Sequence, residues 1–190
     1  GSSPATGYAQ ISLSCMCARY GKKSVIFMAE RSMDNLHDYQ LRAIEEGAIM
    51  HWVPNGMLSV TEKRARDYVN EDPKSRRLLP IGFDHHTVID SIVSVARGMD
   101  MEPSEVWTVG SSGTLTRGLQ QAWKDAAFHC VTVGHAGDYG RAKTYKCKIP
   151  FNKPAKVVPP FPSAITYDAK AWEFMKKYAS PGALFWNVGS

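Results

Sequence analysis

The stretch that decides the fold is Val106-Trp107-Thr108-Val109-Gly110-Ser111-Ser112-Gly113-Thr114-Leu115. Its apolar and β-branched first half predicts a buried strand, and the glycines and serines that follow predict a turn. A helix begins at once, with Leu115 and Leu119 on its apolar side. Helix N-termini carry unpaired N–H groups and partial positive charge, so phosphate binds well there. The sequence therefore predicts a phosphate site at residues 110–114, with an ordinary serine N-cap as the alternative.

Other phosphate-binding motifs do not fit this loop. A Walker A loop needs Lys-Ser or Lys-Thr after its last glycine, and Thr114-Leu115 stands there instead. The dinucleotide-binding glycine fingerprint is also absent. A phosphoribosyltransferase usually carries paired acidic residues before its loop, where this chain has Thr108-Val109. The phosphoribosyltransferase class therefore remains only as a further alternative.

Strands and helices alternate along the rest of the chain. Strands are predicted at 24–29, 49–53, 105–109, 128–133, 144–148 and 183–188, and helices at 5–19, 36–47, 60–71, 84–96, 114–123 and 171–178. Such alternation predicts an α/β fold with a mainly parallel twisted sheet and helices on both faces. We expect a smaller lobe over about 5–100 and a phosphate-binding lobe over 101–190.

Composition narrows the class of protein. The 190 residues are 44% hydrophobic and 22% charged, which is typical of a globular protein, and no apolar run is long enough to span a bilayer. The chain opens without the features of a signal peptide, and its four cysteines lack zinc-ligand spacing, so a reduced cytoplasmic protein without a metal is expected. The net charge of +5 is scattered, which favours phosphorylated ligands over nucleic acid as partners.

The loop motif, with Gly118-Leu119 downstream, resembles the phosphate-binding loop of fold-type II pyridoxal-phosphate enzymes, the tryptophan synthase β-subunit-like superfamily. The most similar branch is that of aminocyclopropane-carboxylate deaminase and D-cysteine desulfhydrase. The resemblance extends over nearly the whole chain, and the other segments that carry it are Ser2-Ser3-Pro4, Gly21–Ile26, Glu46-Gly47-Ala48, Ile165–Ala171 and Leu184–Gly189.

The resemblance implies a role for particular residues. Pyridoxal 5'-phosphate would be held through its phosphate by Gly110, Ser111, Ser112, Gly113 and Thr114. Tyr167 would lie near the cofactor ring and assist proton transfer. Asp168 would face the pyridine nitrogen, where a carboxylate keeps that nitrogen protonated and the ring a strong electron sink. Ser3 would contact the substrate carboxylate or take part in proton transfer.

The function implied is that of a pyridoxal-phosphate-dependent lyase or deaminase acting on a small amino acid, as a homodimer. In the family, a lysine that forms a Schiff base with the cofactor precedes the substrate loop, and nothing precedes Gly1 here. We therefore expect an N-terminally truncated enzyme, or a non-catalytic, ligand-binding member of the fold that lacks this lysine and binds the cofactor non-covalently. Pro4 stands in place of the branch's usual asparagine and leaves the substrate open.

Two histidine segments admit a chemical interpretation and a structural one. Asp84-His85-His86 resembles the opening of a phosphoesterase metal motif, but the further Asp and His clusters that such chemistry needs are absent. A helix capped by Asp84, with exposed histidines, is the preferred interpretation. His135 follows a predicted strand and would either line the cofactor side of the sheet or lie in a plain loop.

Overall fold

The computed structural model describes residues 1–134 and 137–189, so His135 lies outside the described residues. Within these ranges there are six α-helices and six strands. The helices are Ala9–Arg19 (α1), Asp38–Glu45 (α2), Leu58–Glu71 (α3), His86–Arg97 (α4), Thr114–Ala122 (α5) and Ala171–Tyr178 (α6). The strands are Val25–Ala29 (β1), Ile49–Val53 (β2), Glu105–Gly110 (β3), Ala127–Thr132 (β4), Lys143–Lys146 (β5) and Leu184–Phe185 (β6). None of the helices in this part of the chain has the length and apolarity to cross a membrane.

The chain forms two compact units, Gly1–Phe83 and Asp84–Ser190. In the first unit β1 and β2 pair in parallel, and Ser2 forms a parallel bridge to Phe27. Successive residues of a strand point to opposite faces of the sheet. Ile26 and Met28 accordingly pack with Leu13 of α1, whereas Phe27 packs in a separate cluster on the other side. Because the side chains of β1 alternate between the two faces of the sheet, the core of this unit is divided into two layers.

The second unit is built on a four-stranded parallel sheet in the order β5-β4-β3-β6. All six residues of the central strand β3 are buried, as expected for a parallel strand covered on both faces. Trp107 and Val109 pack on the α6 side, and Val106 packs with Leu119 of α5. The predicted α/β class, parallel sheet and two-sided helical cover are confirmed.

The structure places α4 in the second unit, whereas the sequence analysis assigned residues 84–100 to the smaller lobe. The reason is tight packing of α4 on α5. Gly118 of α5 has no side chain, and a Cβ there would lie 2.8 Å from the Cγ2 atom of Ile92. Arg97 also donates a hydrogen bond of 3.1 Å to the carbonyl oxygen of Gln121.

Three local predictions differ from the observed elements. Helix α1 begins at Ala9 instead of residue 5, because the Gly7 N–H closes a turn onto the Pro4 carbonyl at 2.9 Å. The N-cap of α4 is His85, whose ring nitrogen accepts from the Thr87 N–H, so the predicted Asp84 cap is wrong. The last strand contains only Leu184–Phe185, since only two of its residues pair with β3.

Candidate functional site

The loop at 110–114 joins the carboxyl end of β3 directly to α5. Gly113 is the N-cap of α5 and adopts a left-handed backbone with φ of 86°, a conformation that glycine reaches without steric cost. The N-cap residue has no side chain, but the Ser112 hydroxyl oxygen accepts from the Thr114 N–H at 3.4 Å, so a serine helps to cap the helix without being its N-cap residue. The hydroxyl oxygens of Ser112 and Thr114 lie 3.0 Å apart beside the first helical turn. The loop thus combines hydroxyl groups with the N-terminus of a helix.

A segment that the sequence analysis did not single out, residues 137–139, holds this loop in place. The Tyr139 hydroxyl donates to the Ser111 carbonyl oxygen and accepts from the Gly137 N–H, each at 3.0 Å. A Cβ at Gly113 would overlap the carbonyl oxygen of Asp138. The loop and the segment therefore pack backbone against backbone, which only glycine at position 113 permits.

Arg117 of α5 fastens the same segment to the helix. Its guanidinium donates to the Asp138 carbonyl oxygen at 2.8 Å and to the Ser112 carbonyl oxygen at 3.4 Å. It also pairs with the carboxylate of Asp84. The only sequence signal for this arrangement is the turn-forming run Gly137-Asp138-Tyr139-Gly140, which does not reveal what the turn contacts.

Tyr167 lies beside the loop although it is distant in sequence. It precedes a short 3₁₀ turn, Asp168–Lys170, that leads into α6. A hydrogen bond with the backbone of Ser111 joins it to the loop, and the Phe151 ring packs against it edge-on at 5.7 Å. Burial, followed by the neighbouring Asp168 carboxylate, raises the pKa of Tyr167 far above its ordinary value. The phenol is therefore neutral and keeps its proton at physiological pH.

Asp168 is a buried carboxyl group at the same edge of the sheet. Its Oδ2 atom accepts from the Gly189 N–H at 2.9 Å, beyond the end of β6. Its Oδ1 atom is buried and has no hydrogen-bond partner among residues 1–134 and 137–189. Burial raises the pKa of Asp168 to about 7, although the N–H groups of Val188 and Gly189 act in the opposite direction. One carboxyl oxygen is thus held by the backbone, while the other has no donor in the described part of the chain.

Lys170 is a second buried ionisable group that the sequence analysis did not identify. It is 2% exposed, and its Nζ atom donates to the carbonyl oxygens of Pro150 at 2.9 Å and Phe151 at 3.4 Å. Burial lowers its pKa. Because Phe151 packs on Tyr167, this lysine stabilises the segment that positions the tyrosine ring.

Ser3 belongs to the first unit and is buried in the loop before α1. Its hydroxyl donates to the Pro4 carbonyl oxygen at 3.1 Å. Gln10 holds the rest of this loop by donating to the carbonyl oxygens of Ala5 and Gly7, both at 2.8 Å. Of the predicted site residues, the structure brings Tyr167 against the 110–114 loop, with Asp168 next to Tyr167, while Ser3 lines a cavity of the first unit.

The contact made by Tyr139 leads to a testable expectation. Replacing Tyr139 with phenylalanine keeps the ring but leaves the Gly137 N–H and the Ser111 carbonyl without this partner. We expect Tyr139→Phe to lower the free energy of unfolding by about 1–2 kcal/mol in urea denaturation. Tyr20→Phe is the matched control, because that tyrosine is 69% exposed. Equal effects of the two substitutions would show that the hydroxyl does not hold the loop.

No protein-family model matches the sequence, and no curated protein matches it either. Solved structures do match. The structure of an ACC deaminase homologue aligns with a TM-score of 0.79 at 12% identity, over 99% of this chain and 72% of that chain. Threonine deaminase isoform 2 from Solanum lycopersicum aligns with a TM-score of 0.53 at 13% identity, over 70% of this chain and 36% of that one. Serine racemase from Dictyostelium discoideum aligns with a TM-score of 0.52 at 13% identity, over 67% of this chain and 41% of that one.

These structures share the architecture of fold-type II pyridoxal-phosphate enzymes. The predicted resemblance is therefore confirmed at the level of the fold. Identities of 12–13% show the fold alone, and function has to be argued from the site.

Proposed function

We propose that the second unit binds pyridoxal 5'-phosphate, with the phosphate at residues 110–114 and the pyridine nitrogen at Asp168. The observation that carries the proposal is the buried Oδ1 atom of Asp168, which has no partner among the described residues. A buried polar atom without a hydrogen bond is costly in a folded protein, and such exceptions often mark ligand sites. A protonated ring nitrogen would supply the missing donor.

The remaining residues of the site fit this cofactor. The 110–114 loop offers a helix N-terminus and two hydroxyl groups for a phosphate. Tyr167 lies against that loop and next to Asp168 in the chain, so groups suited to the two ends of the cofactor are adjacent. In parallel α/β sheets, ligands bind beyond the carboxyl ends of the strands, where all of these residues lie.

When bound, pyridoxal phosphate supplies an electron sink for carbanion chemistry at the α-carbon of an amino acid. The chain's own residues then have distinct tasks. The Asp168 carboxylate would accept a hydrogen bond from the ring nitrogen and keep that nitrogen protonated. Tyr167, whose phenol is neutral, would hold a proton beside the cofactor ring. The 110–114 loop would bind the phosphate and so orient the ring. We infer lyase or deaminase chemistry on a small amino acid as the activity.

A second candidate function is non-catalytic binding of the same cofactor. The observation that favours it is Lys170, the buried lysine nearest in sequence to Tyr167 and Asp168. Its Nζ atom already donates to two backbone carbonyl oxygens, so the amine is engaged in structural hydrogen bonds. The lysine of this site therefore stabilises structure and does not supply a covalent link to the cofactor.

Titration of the protein with pyridoxal phosphate, followed by absorbance and calorimetry, tests the proposal. We expect saturable binding that inorganic phosphate weakens by competition. We also expect the binding to reverse on dialysis, and borohydride reduction followed by peptide mapping to leave residues 1–190 without a stoichiometrically labelled lysine. A single lysine labelled to completion would contradict the non-covalent mode, and absence of saturable binding would contradict the proposal itself.

A further inference from the structure

Three fully buried polar side chains lie beneath the 110–114 loop in the second unit. They are Thr108 of β3, Cys130 of β4 and Thr116, the third residue of α5, and each is 0% exposed. Thr108 and Cys130 stand opposite each other in the register of the two strands. A Cβ atom at Gly110 would lie 2.7 Å from the Cys130 sulfur, so the cluster touches the first residue of the loop. The cluster therefore connects the end of the sheet with the first turn of the helix.

Hydrogen bonds hold this cluster together. The hydroxyl oxygens of Thr108 and Thr116 lie 2.8 Å apart, and either group can be the donor. The Thr116 hydroxyl also lies 3.6 Å from the Cys130 sulfur, and the Thr108 hydroxyl lies 3.4 Å from the His129 carbonyl oxygen. Burial raises the pKa of the Cys130 thiol, so the sulfur is a neutral and weak partner. The short contact between the two threonines is therefore the main polar link between helix and sheet at this level.

Packing alone does not require hydroxyl groups at these positions. The neighbouring buried side chains of the two strands, among them Val106, Val109 and Val131, are apolar. Burying a hydroxyl group costs free energy unless it is hydrogen-bonded, so a polar cluster here favours one fixed arrangement of helix and strand. Thr116 belongs to the first turn of α5, whose N–H groups would face the phosphate. A small rotation of α5 would redirect those groups, and a binding site tolerates displacements of only about 0.5 Å.

We propose that Thr116 is a positioning residue of the phosphate site, and that its hydroxyl group fixes the rotation of α5 against β3 so that the N–H groups of the first helical turn point at the anion. The inference rests on the proposed function and deepens it, because it names a residue that acts through the helix and not by contact with the ligand. Neither the glycine loop motif nor the apolar pattern of the helix predicts this role for a threonine on the buried face.

Calorimetric titration of sulfate and of pyridoxal phosphate into Thr116→Val tests the proposal. In this variant the Thr108 hydroxyl can still donate to the His129 carbonyl oxygen. We expect both affinities to fall at least about tenfold, comparable to the loss when a supporting hydrogen bond of a metal site is removed. Thr116→Ser keeps the hydroxyl group and should retain most of the affinity. Thr108→Val removes the other end of the same contact, so the double variant should bind no more weakly than either single variant.

Thr61→Val is the matched control, because Thr61 is also buried in the first turn of a helix, α3, where its hydroxyl donates to the Leu58 carbonyl oxygen at 2.9 Å. This control should lower the urea midpoint of unfolding, as Thr116→Val does, and leave both affinities unchanged. Equal affinities of the wild type and Thr116→Val, or failure of Thr116→Ser to retain binding, would overturn the proposal.

Amide hydrogen exchange in the ligand-free protein separates this inference from the proposed function. The Arg117 N–H donates to the Gly113 carbonyl oxygen at 2.9 Å and so reports on the first turn of α5. We expect this amide to exchange faster in Thr116→Val than in the wild type. Unchanged exchange would contradict the positioning role, whereas faster exchange in a protein that binds neither sulfate nor pyridoxal phosphate would contradict the phosphate site alone.

Discussion

Asp168→Asn is expected to make the protein more stable above pH 7 and a weaker binder of pyridoxal phosphate. The aspartate is 1% exposed, and burial raises its pKa from 3.8 to about 7. A shift of that size corresponds to roughly 2–4 kcal/mol of destabilisation once the carboxyl group is ionised. The amide carries no charge and can still accept from the Gly189 N–H, so this cost disappears in the variant.

The pH dependence of the same residue has a definite sign. Between about pH 4 and pH 7 the folded chain keeps the Asp168 proton that the unfolded chain has lost. Stability contributed by this group therefore falls as pH rises through that window and is constant above it. Other carboxylates, such as Asp67 and Asp72, have lowered pKa values and act in the opposite sense. The difference between wild type and Asp168→Asn isolates the contribution of Asp168.

Urea denaturation at pH 5 and pH 8, with calorimetric titration of pyridoxal phosphate, measures both effects. We expect Asp168→Asn to bind the cofactor at least about tenfold more weakly, which is the usual worth of a buried charge-assisted hydrogen bond. Asp90→Asn, an exposed change on α4 in the same unit, should alter neither property. A small loss of stability, about 0.3–1 kcal/mol, with unchanged cofactor affinity would assign Asp168 only a helix N-terminal electrostatic role.

Gly113→Ala is the second substitution with a large expected effect. The residue has φ of 86°, and the added Cβ would overlap the carbonyl oxygen of Asp138. Because the obstacle is backbone, the 137–139 segment has to move as a whole. We expect the free energy of unfolding to fall by at least about 3 kcal/mol in urea denaturation. We also expect the affinity for sulfate and for pyridoxal phosphate to be lost in calorimetry.

Gly182→Ala separates backbone strain from the steric overlap with Asp138. Gly182 also has a positive φ, of 83°, but the space around its Cβ position is open. That variant should show the backbone strain alone, roughly 1–2 kcal/mol. Thr114→Leu adds a variant without a positive φ, in which the loop hydroxyl is replaced by a bulky apolar group. Unchanged sulfate and cofactor affinity in both Gly113→Ala and Thr114→Leu would contradict a phosphate site at 110–114.

The sequence predicted the strand, the glycine loop and the helix at 105–122 well, because these signals are local. The apolar run of β3 and the position of Gly113 depend on backbone preferences that short segments express directly. The proximity of Tyr167 to this loop followed only from the resemblance to a family, since no periodicity links residues so distant in sequence. Residues 137–139 were not anticipated, because their turn composition does not specify a docking partner.

The contact partners of charged residues also could not be predicted from local sequence. Asp84 is a residue type that often caps helices, yet it lies before the cap position, pairs with Arg117 of α5 and leaves the cap to His85. Lys170 carried no signal at all, because lysine is usually exposed and its burial here depends on carbonyl groups of a distant loop. Tertiary contacts of this kind override local preferences and cannot be derived from short patterns.

The clamping of the 110–114 loop by Tyr139, Asp138 and Arg117 also bears on the order in which the site becomes ordered. Asp138 and Tyr139 follow β4, so the loop reaches its final conformation only after β3 and β4 have paired and the chain has returned across them. Slow amide exchange at Ser111 should therefore follow unfolding of the whole unit and not local opening of the loop. Cofactor affinity would then report how completely the sheet has assembled.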